Sequence, residues 1–215
     1  MLEKEMVEQL MSKPTHSHSR MVDSLPLQPL EKAMQVKFKC AVSDSIKITG
    51  ADISSGYSSG VFTNTFSDFE GGDITINVNH FVVSDGAVLN AQTLSDGDGG
   101  NILLNVRTVE LQRGGQLLST TEGNGRAGII TINATDQITP SGNDPMFAIR
   151  LAQFGRTVAP VTENSGIYVR TPGNGTSGNI DINTPTLRLD NKLKSMLNPL
   201  QVMGATLLSM LVIFC

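Results

Sequence analysis

Gly72-Asp73-Ile74-Thr75-Ile76-Asn77 recurs down the chain with its phase kept. It returns as Gly100-Asn101-Ile102-Leu103-Leu104-Asn105, as Gly128-Ile129-Ile130-Thr131-Ile132-Asn133 and as Gly178-Asn179-Ile180-Asp181-Ile182-Asn183, and a fainter copy, Ser45-Ile46-Lys47-Ile48-Thr49, precedes them. The first isoleucines of the copies are Ile46, Ile74, Ile102, Ile130 and Ile180. Their offset is about 28 residues three times and then about 50, a spacing that marks a stacked repeat. One repeat therefore carries an insertion of roughly 22 residues, placed over 140 to about 161.

Within each copy the apolar residues alternate with polar ones, the period of a strand. Ile74 and Ile76 share one face while Thr75 and Asn77 share the other. Two further apolar columns follow at the same offsets: Ile53, Phe81, Val109 and Leu187, then Val61, Leu89, Leu117 and Ile167. In the third repeat Gln137 holds the expected place and Ile138 comes one residue late, which predicts a local bulge rather than a slip of the whole strand. Three short strands per repeat, with matched inward residues, predict an all-β, right-handed parallel β-helix with short helical or irregular extensions at both ends. Each coil would rise about 4.8 Å on the last.

The predicted structural ladder comprises Ile46, Ile74, Ile102, Ile130 and Ile180 inside and Asn77, Asn105, Asn133 and Asn183 outside. The asparagines have two readings, a hydrogen-bonded amide ladder or a turn role. Glycines close each repeat, as in Gly123-Asn124-Gly125-Arg126-Ala127-Gly128, where they are expected to supply positive φ. Asp96-Gly97-Asp98-Gly99-Gly100 resembles the start of an EF-hand loop, but Arg107 stands where the closing glutamate belongs. No metal site and no cofactor are expected.

The chain divides into an N-terminal extension over 1–43, repeats over 44–191 and a hydrophobic tail over 192–215. The extension holds a short amphipathic helix, a two-proline linker and an alternating strand around Phe38 that starts or caps the stack. Met1-Leu2-Glu3-Lys4-Glu5-Met6 has no apolar run after it and does not read as a signal peptide. The tail is uncharged from Ser195 onward. It reads as a membrane anchor near spanning length, as a helix capping the stack, or as a foreign terminus. Within the insertion, Met146, Phe147, Arg150 and Phe154 are the candidate recognition residues, with Ile149 and Leu151 beside them. A recognition loop and a flap over one face are both compatible with these residues.

A formal net charge of −4 without a Lys/Arg run argues against nucleic acid as partner. Cys40 and Cys215 form no spacing pattern, so neither a disulfide framework nor a zinc site is indicated. His16, His18 and His80 lack evident partners. Asp73, Asp98, Asp136 and Asp181 do not repeat in phase and read as solvated surface charge. No nucleophile arrangement or phosphate loop is present, so catalysis is not expected.

Gly60-Val61-Phe62-Thr63-Asn64-Thr65, Gly71-Gly72-Asp73-Ile74-Thr75-Ile76-Asn77, Gly128-Ile129-Ile130-Thr131-Ile132-Asn133 and Ser177-Gly178-Asn179-Ile180-Asp181-Ile182-Asn183-Thr184 together resemble the haemagglutination-activity region of two-partner-secretion exoproteins. These are the filamentous haemagglutinin type, in particular the large cyanobacterial surface proteins, and the likeness covers about 44–191. The resemblance implies a parallel β-helix, passage through an outer-membrane pore partner, an extracellular or cell-surface location, and adhesion to glycan or protein on another cell. It reads the chain as a fragment of a longer adhesin. The alternatives are a polysaccharide lyase or hydrolase on the same scaffold, or a membrane-anchored structural remnant.

Overall fold

A computed structural model describes residues 37–189 apart from 67, 156 and 157. The expected N-terminal helix, the linker and the hydrophobic tail lie outside these residues. In chain order the described elements are β1 (Lys37–Ala41), β2 (Ser45–Thr49), β3 (Gly60–Phe62), β4 (Asp73–Ser84), β5 (Val88–Thr93), β6 (Ile102–Gln112), β7 (Gln116–Thr121), β8 (Ile130–Ser141), α1 (Phe147–Phe154), β9 (Gly166–Arg170), β10 (Ile180–Asn183) and β11 (Thr186–Leu187). They build two parallel sheets. One has seven strands, in the order β1-β4-β6-β8-β10, with β2 also paired to β4 and β11 to β8. The other has four, in the order β3-β5-β7-β9.

This layout corrects the expected all-β, three-faced β-helix. The first two apolar columns do not occupy separate strands, because Ile74 and Phe81 both lie on β4. Val78 and Phe81 are buried while Asn79 and His80 between them are exposed. A flat strand cannot turn residues three apart to one side, so β4 changes course at Asn79-His80. Its ladder with β6 nevertheless runs on from Val78↔Val106 to His80↔Thr108. The described helix sits inside the insertion, not at a chain end.

The period sets the register. Ile74 pairs with Ile102, Ile102 with Ile130 and Ile180 with Ile130, all in parallel. Ile74, Ile102 and Ile130 are at most 1% exposed, so each contributes about 1.5 to 3 kcal/mol of apolar burial. The pairing shifts between Val106 and Thr108, where Ala134 and Gln137 are the successive partners. Two residues, Thr135 and Asp136, thus oppose Arg107, which is the bulge that brings Ile138 onto Val109.

Two expected column members are elsewhere. Ile46 pairs with Phe81, not with Ile74, and Phe38 of β1 takes the place beside Ile74. Ile53, assigned to the Phe81 column, is 51% exposed. Both Phe38-Lys39-Cys40 and Ile46-Lys47-Ile48 alternate, and only the pairing of both with the long β4 decides which part of the repeat each one continues.

The turn glycines also act differently from expectation. Positive φ is found at Gly86, Gly114 and Gly142, which follow β4, β6 and β8, and not in the glycine-rich segments around 97, 125 and 175. There the requirement is close approach. A Cβ at Gly128 would overlap the Gly100 carbonyl, and one at Gly178 the Gly128 carbonyl, so only glycine lets successive layers meet.

The acidic side chains are not merely solvated. Asp73 Oδ1 accepts the Asn101 backbone N–H at 3.0 Å and Asn101 Oδ1 accepts that of Ile129 at 2.8 Å. Asp96 and Asp98 accept the N–H groups of Asn124 and Arg126 at 2.9 and 2.7 Å. A side chain in one layer thereby satisfies a backbone donor in the next, groups that would otherwise lack a ladder partner.

At the Gly86 turn, Asp85 (φ 59) and Arg113 (φ 43) adopt left-handed backbone one above the other. Arg113 Nε and Nη2 donate to the Asp85 carboxylate at 2.5 and 2.8 Å, and Thr49 Oγ1 adds a third bond at 2.8 Å. The Arg113 bonds hold the Asp85 carboxyl far below the usual carboxylate range, against a smaller opposing effect of burial, with Thr49 and Ser84 assisting. Because the folded value is depressed, the unfolded chain takes up the proton first as pH falls. The stabilisation is therefore complete above about pH 4, the ordinary aspartate range, and is lost as pH falls below it. The melting-temperature gap between the native chain and Asp85→Asn is expected to be widest at pH 6 and to narrow towards pH 2. A gap independent of pH would show that the carboxylate charge is not its source.

Candidate functional site

The insertion is the first place where the residues suggest recognition. Its helix α1 presents Ile149 and Leu151 to solvent at 51% and 44% exposure. Arg150, however, is 1% exposed, and its guanidinium forms a salt bridge with the carboxylate of Asp144, itself 6% exposed. Arg150 Nη1 also donates to the Gly56 carbonyl at 3.2 Å. Glycine is required beneath this pair, since a Cβ at Gly86 would press on both Arg150 and Asp144, and one at Gly114 on Asp144. Arg150 is thus a fastener for α1 and not a recognition residue. Phe154 is half-buried over Gly56, whose added Cβ would lie 2.7 Å from its ring. Met146 and Phe147 are half-buried as well.

The return of the insertion covers the outer side of the four-stranded sheet. Val88, Leu118 and Tyr168 form a second apolar cluster there, with Ala159 and Val161 packed on it. Gln116, wholly buried, clamps this segment. Its Nε2 donates to the carbonyls of Thr162 and Asn164, each at 2.7 Å, and its Oε1 accepts the Val161 N–H at 2.9 Å. Of the two readings of the insertion, this part is a flap. It covers Val88 of β5 and Gln116 and Leu118 of β7 on their outward faces.

The second place is where β4, β6 and β8 change course. A groove of about 730 Å³ opens there, with Asn77, Asn105 and Asn133 along it, Val42, Val78 and Val106 among the lining, and Asn79, Arg107 and Thr135 also in its wall. The asparagines form a side-chain ladder: Asn105 Nδ2 donates to Asn77 Oδ1 at 2.8 Å and Asn133 Nδ2 to Asn105 Oδ1 at 2.9 Å. Asn183 stands in register with Asn133 on β10. The amide reading of this column thus describes the first three members, on the outward face of regular strands and not in turns. Arg107 faces Asp136 across 3.6 Å, both more than half exposed.

Sequence periodicity identifies the Asn column but not its concavity. The signal that could have shown the groove is the pair of adjacent polar residues, Asn79-His80 and Thr135-Asp136, interrupting the alternation at equivalent places. His80 lies beside the groove, with Nδ1 3.0 Å from Thr108 Oγ1. Among the described residues no group of three or more His, Cys, Asp or Glu is placed to hold a metal ion. No helix among them is long and apolar enough to cross a membrane. No protein-family model, curated protein or solved structure matches the chain.

Proposed function

We propose that this chain is a non-enzymatic, adhesin-like binding module that contacts glycan or protein on another surface, acting outside the cell. The observation that carries this reading is the amide-lined groove, repeated from strand to strand on a sheet whose interior is fully packed. Shallow and open, it is bordered by polar groups with unspent hydrogen-bonding capacity in the fixed register of paired strands, which suits it to contact with an extended surface. Its lining contains amides, hydroxyls, aliphatic side chains and one guanidinium, but neither a carboxylate nor an imidazole. The nearest such groups, His80 beside Thr108 at 3.0 Å and Asp136 beside Arg107 at 3.6 Å, do not give the facing pair of carboxylates that glycosidic cleavage uses, and this favours binding over the lyase or hydrolase reading.

Purified, fluorescently labelled chain is expected to attach saturably to glycoprotein-coated surfaces and to cells without releasing reducing or unsaturated sugar ends. Attachment that never saturates, or steady product release, would remove this reading.

A further inference from the structure

We infer that the groove takes an uncharged, linear, hydroxyl-rich polymer, a neutral polysaccharide lying across the strands, and that it discriminates against acidic ones. This rests on the groove being the binding site proposed above, and it adds the chemical class and direction of the ligand.

The direction follows from the lining. Asn77, Asn105 and Asn133 are equivalent residues of β4, β6 and β8, paired in register. The groove therefore runs from strand to strand, with its polar groups repeating about every 4.8 Å. A ligand using more than one of them must itself be extended and repetitive.

The class follows from what each amide has left to offer. An asparagine amide carries two N–H donors and an oxygen with two acceptor sites. Asn105 uses one donor on Asn77 and one acceptor site on Asn133. One N–H and one lone pair remain at Asn105, so it has both a donor and an acceptor to offer. A hydroxyl group, which both donates and accepts, can satisfy both. A carboxylate or sulfate only accepts, so it leaves the Asn oxygens facing other acceptors and loses the hydrogen bonds it had in water.

The charge agrees. Arg107 is the charged residue of the lining, and Asp136 beside it offsets its field. Val42 supplies the exposed apolar contact of the kind that meets the C–H face of a sugar ring, while Val78 and Val106 form the floor and belong to the core at 6% exposure each. Val42 is 42% exposed.

The test uses the full chain and soluble polymers. Neutral probes are mannan, dextran, laminarin, xyloglucan and galactomannan; acidic probes are polygalacturonate, alginate and heparin. Binding is measured by calorimetry and affinity electrophoresis at 50 and 500 mM NaCl. At least one neutral polymer is expected to bind, with less than a twofold change between the two salt concentrations, since amide contacts carry no net charge to screen. Thr135→Trp, which blocks the groove from its exposed rim and leaves the Asn ladder in place, should weaken that binding at least tenfold with the melting temperature kept. Asn105→Asp, which removes a donor and adds charge, should also weaken it.

Binding confined to the acidic polymers and lost at high salt would overturn the inference while leaving an adhesive role standing. Neutral binding untouched by Thr135→Trp would place the site elsewhere and overturn it too. Failure of every polymer, with saturable cell attachment preserved, would overturn the polysaccharide inference alone. Failure of both would remove the adhesive reading with it.

Discussion

Ile130→Asp should destabilise the domain by about 4 kcal/mol or more, because the new carboxylate has no partner in the aliphatic column. Ile130 is 0% exposed and is paired on both sides, with Ile102 on β6 and Ile180 on β10. Neither neighbour can donate a hydrogen bond from its side chain, and the seven-stranded sheet cannot open there without separating β8 from both flanking strands. In a domain of this size that loss corresponds to a fall in melting temperature on the order of 10 °C. The control is the next residue. Thr131 points outward and pairs with Asp181, so Thr131→Lys places opposite charges side by side and should change stability by well under 1 kcal/mol. Similar melting temperatures for the two variants would sink the assignment of inner and outer faces.

The second large effect is expected at Arg150. Arg150→Ala leaves Asp144 buried at 6% exposure without its cation, and breaking a buried pair on one side costs about 3 to 5 kcal/mol. The loss should be regional. Helix α1 rests on the glycine turns through this pair and Phe154, whereas the strands keep their own ladders, so limited proteolysis should cut within the insertion before the sheets unfold. Asp144→Ala with Arg150→Ala removes both charges and should recover part of the loss, since residues in one network are not additive. If the double variant is as unstable as the sum of the two singles, the charge pair is not what seats the helix.

Much of the register was legible beforehand. The period places Ile74, Ile102, Ile130 and Ile180 in one column and Asn77, Asn105 and Asn133 in another, and the late Ile138 indicates the bulge opposite Arg107. Other features were not legible. Ile46 and Phe38 each alternate convincingly, and nothing local says which continues the Ile74 column. Ile53 has the right spacing but falls in an exposed turn. Arg150 looks like a recognition residue because arginines are usually exposed, and only its contacts with Gly56, Ser58 and Asp144 place it inside. The division into apolar columns suggested three separate faces, but β4, β6 and β8 carry two of those columns on single long strands.

The chain's own pattern determined which residues lie beside which, because parallel strands paired in register turn a constant sequence offset into a constant position. Tertiary structure alone decided how many sheets result, where β4 bends to open the groove, and which side chains the insertion covers. Those outcomes depend on contacts between segments far apart in sequence, such as Arg150 with Gly56 and Gln116 with Thr162, for which no repeating offset exists.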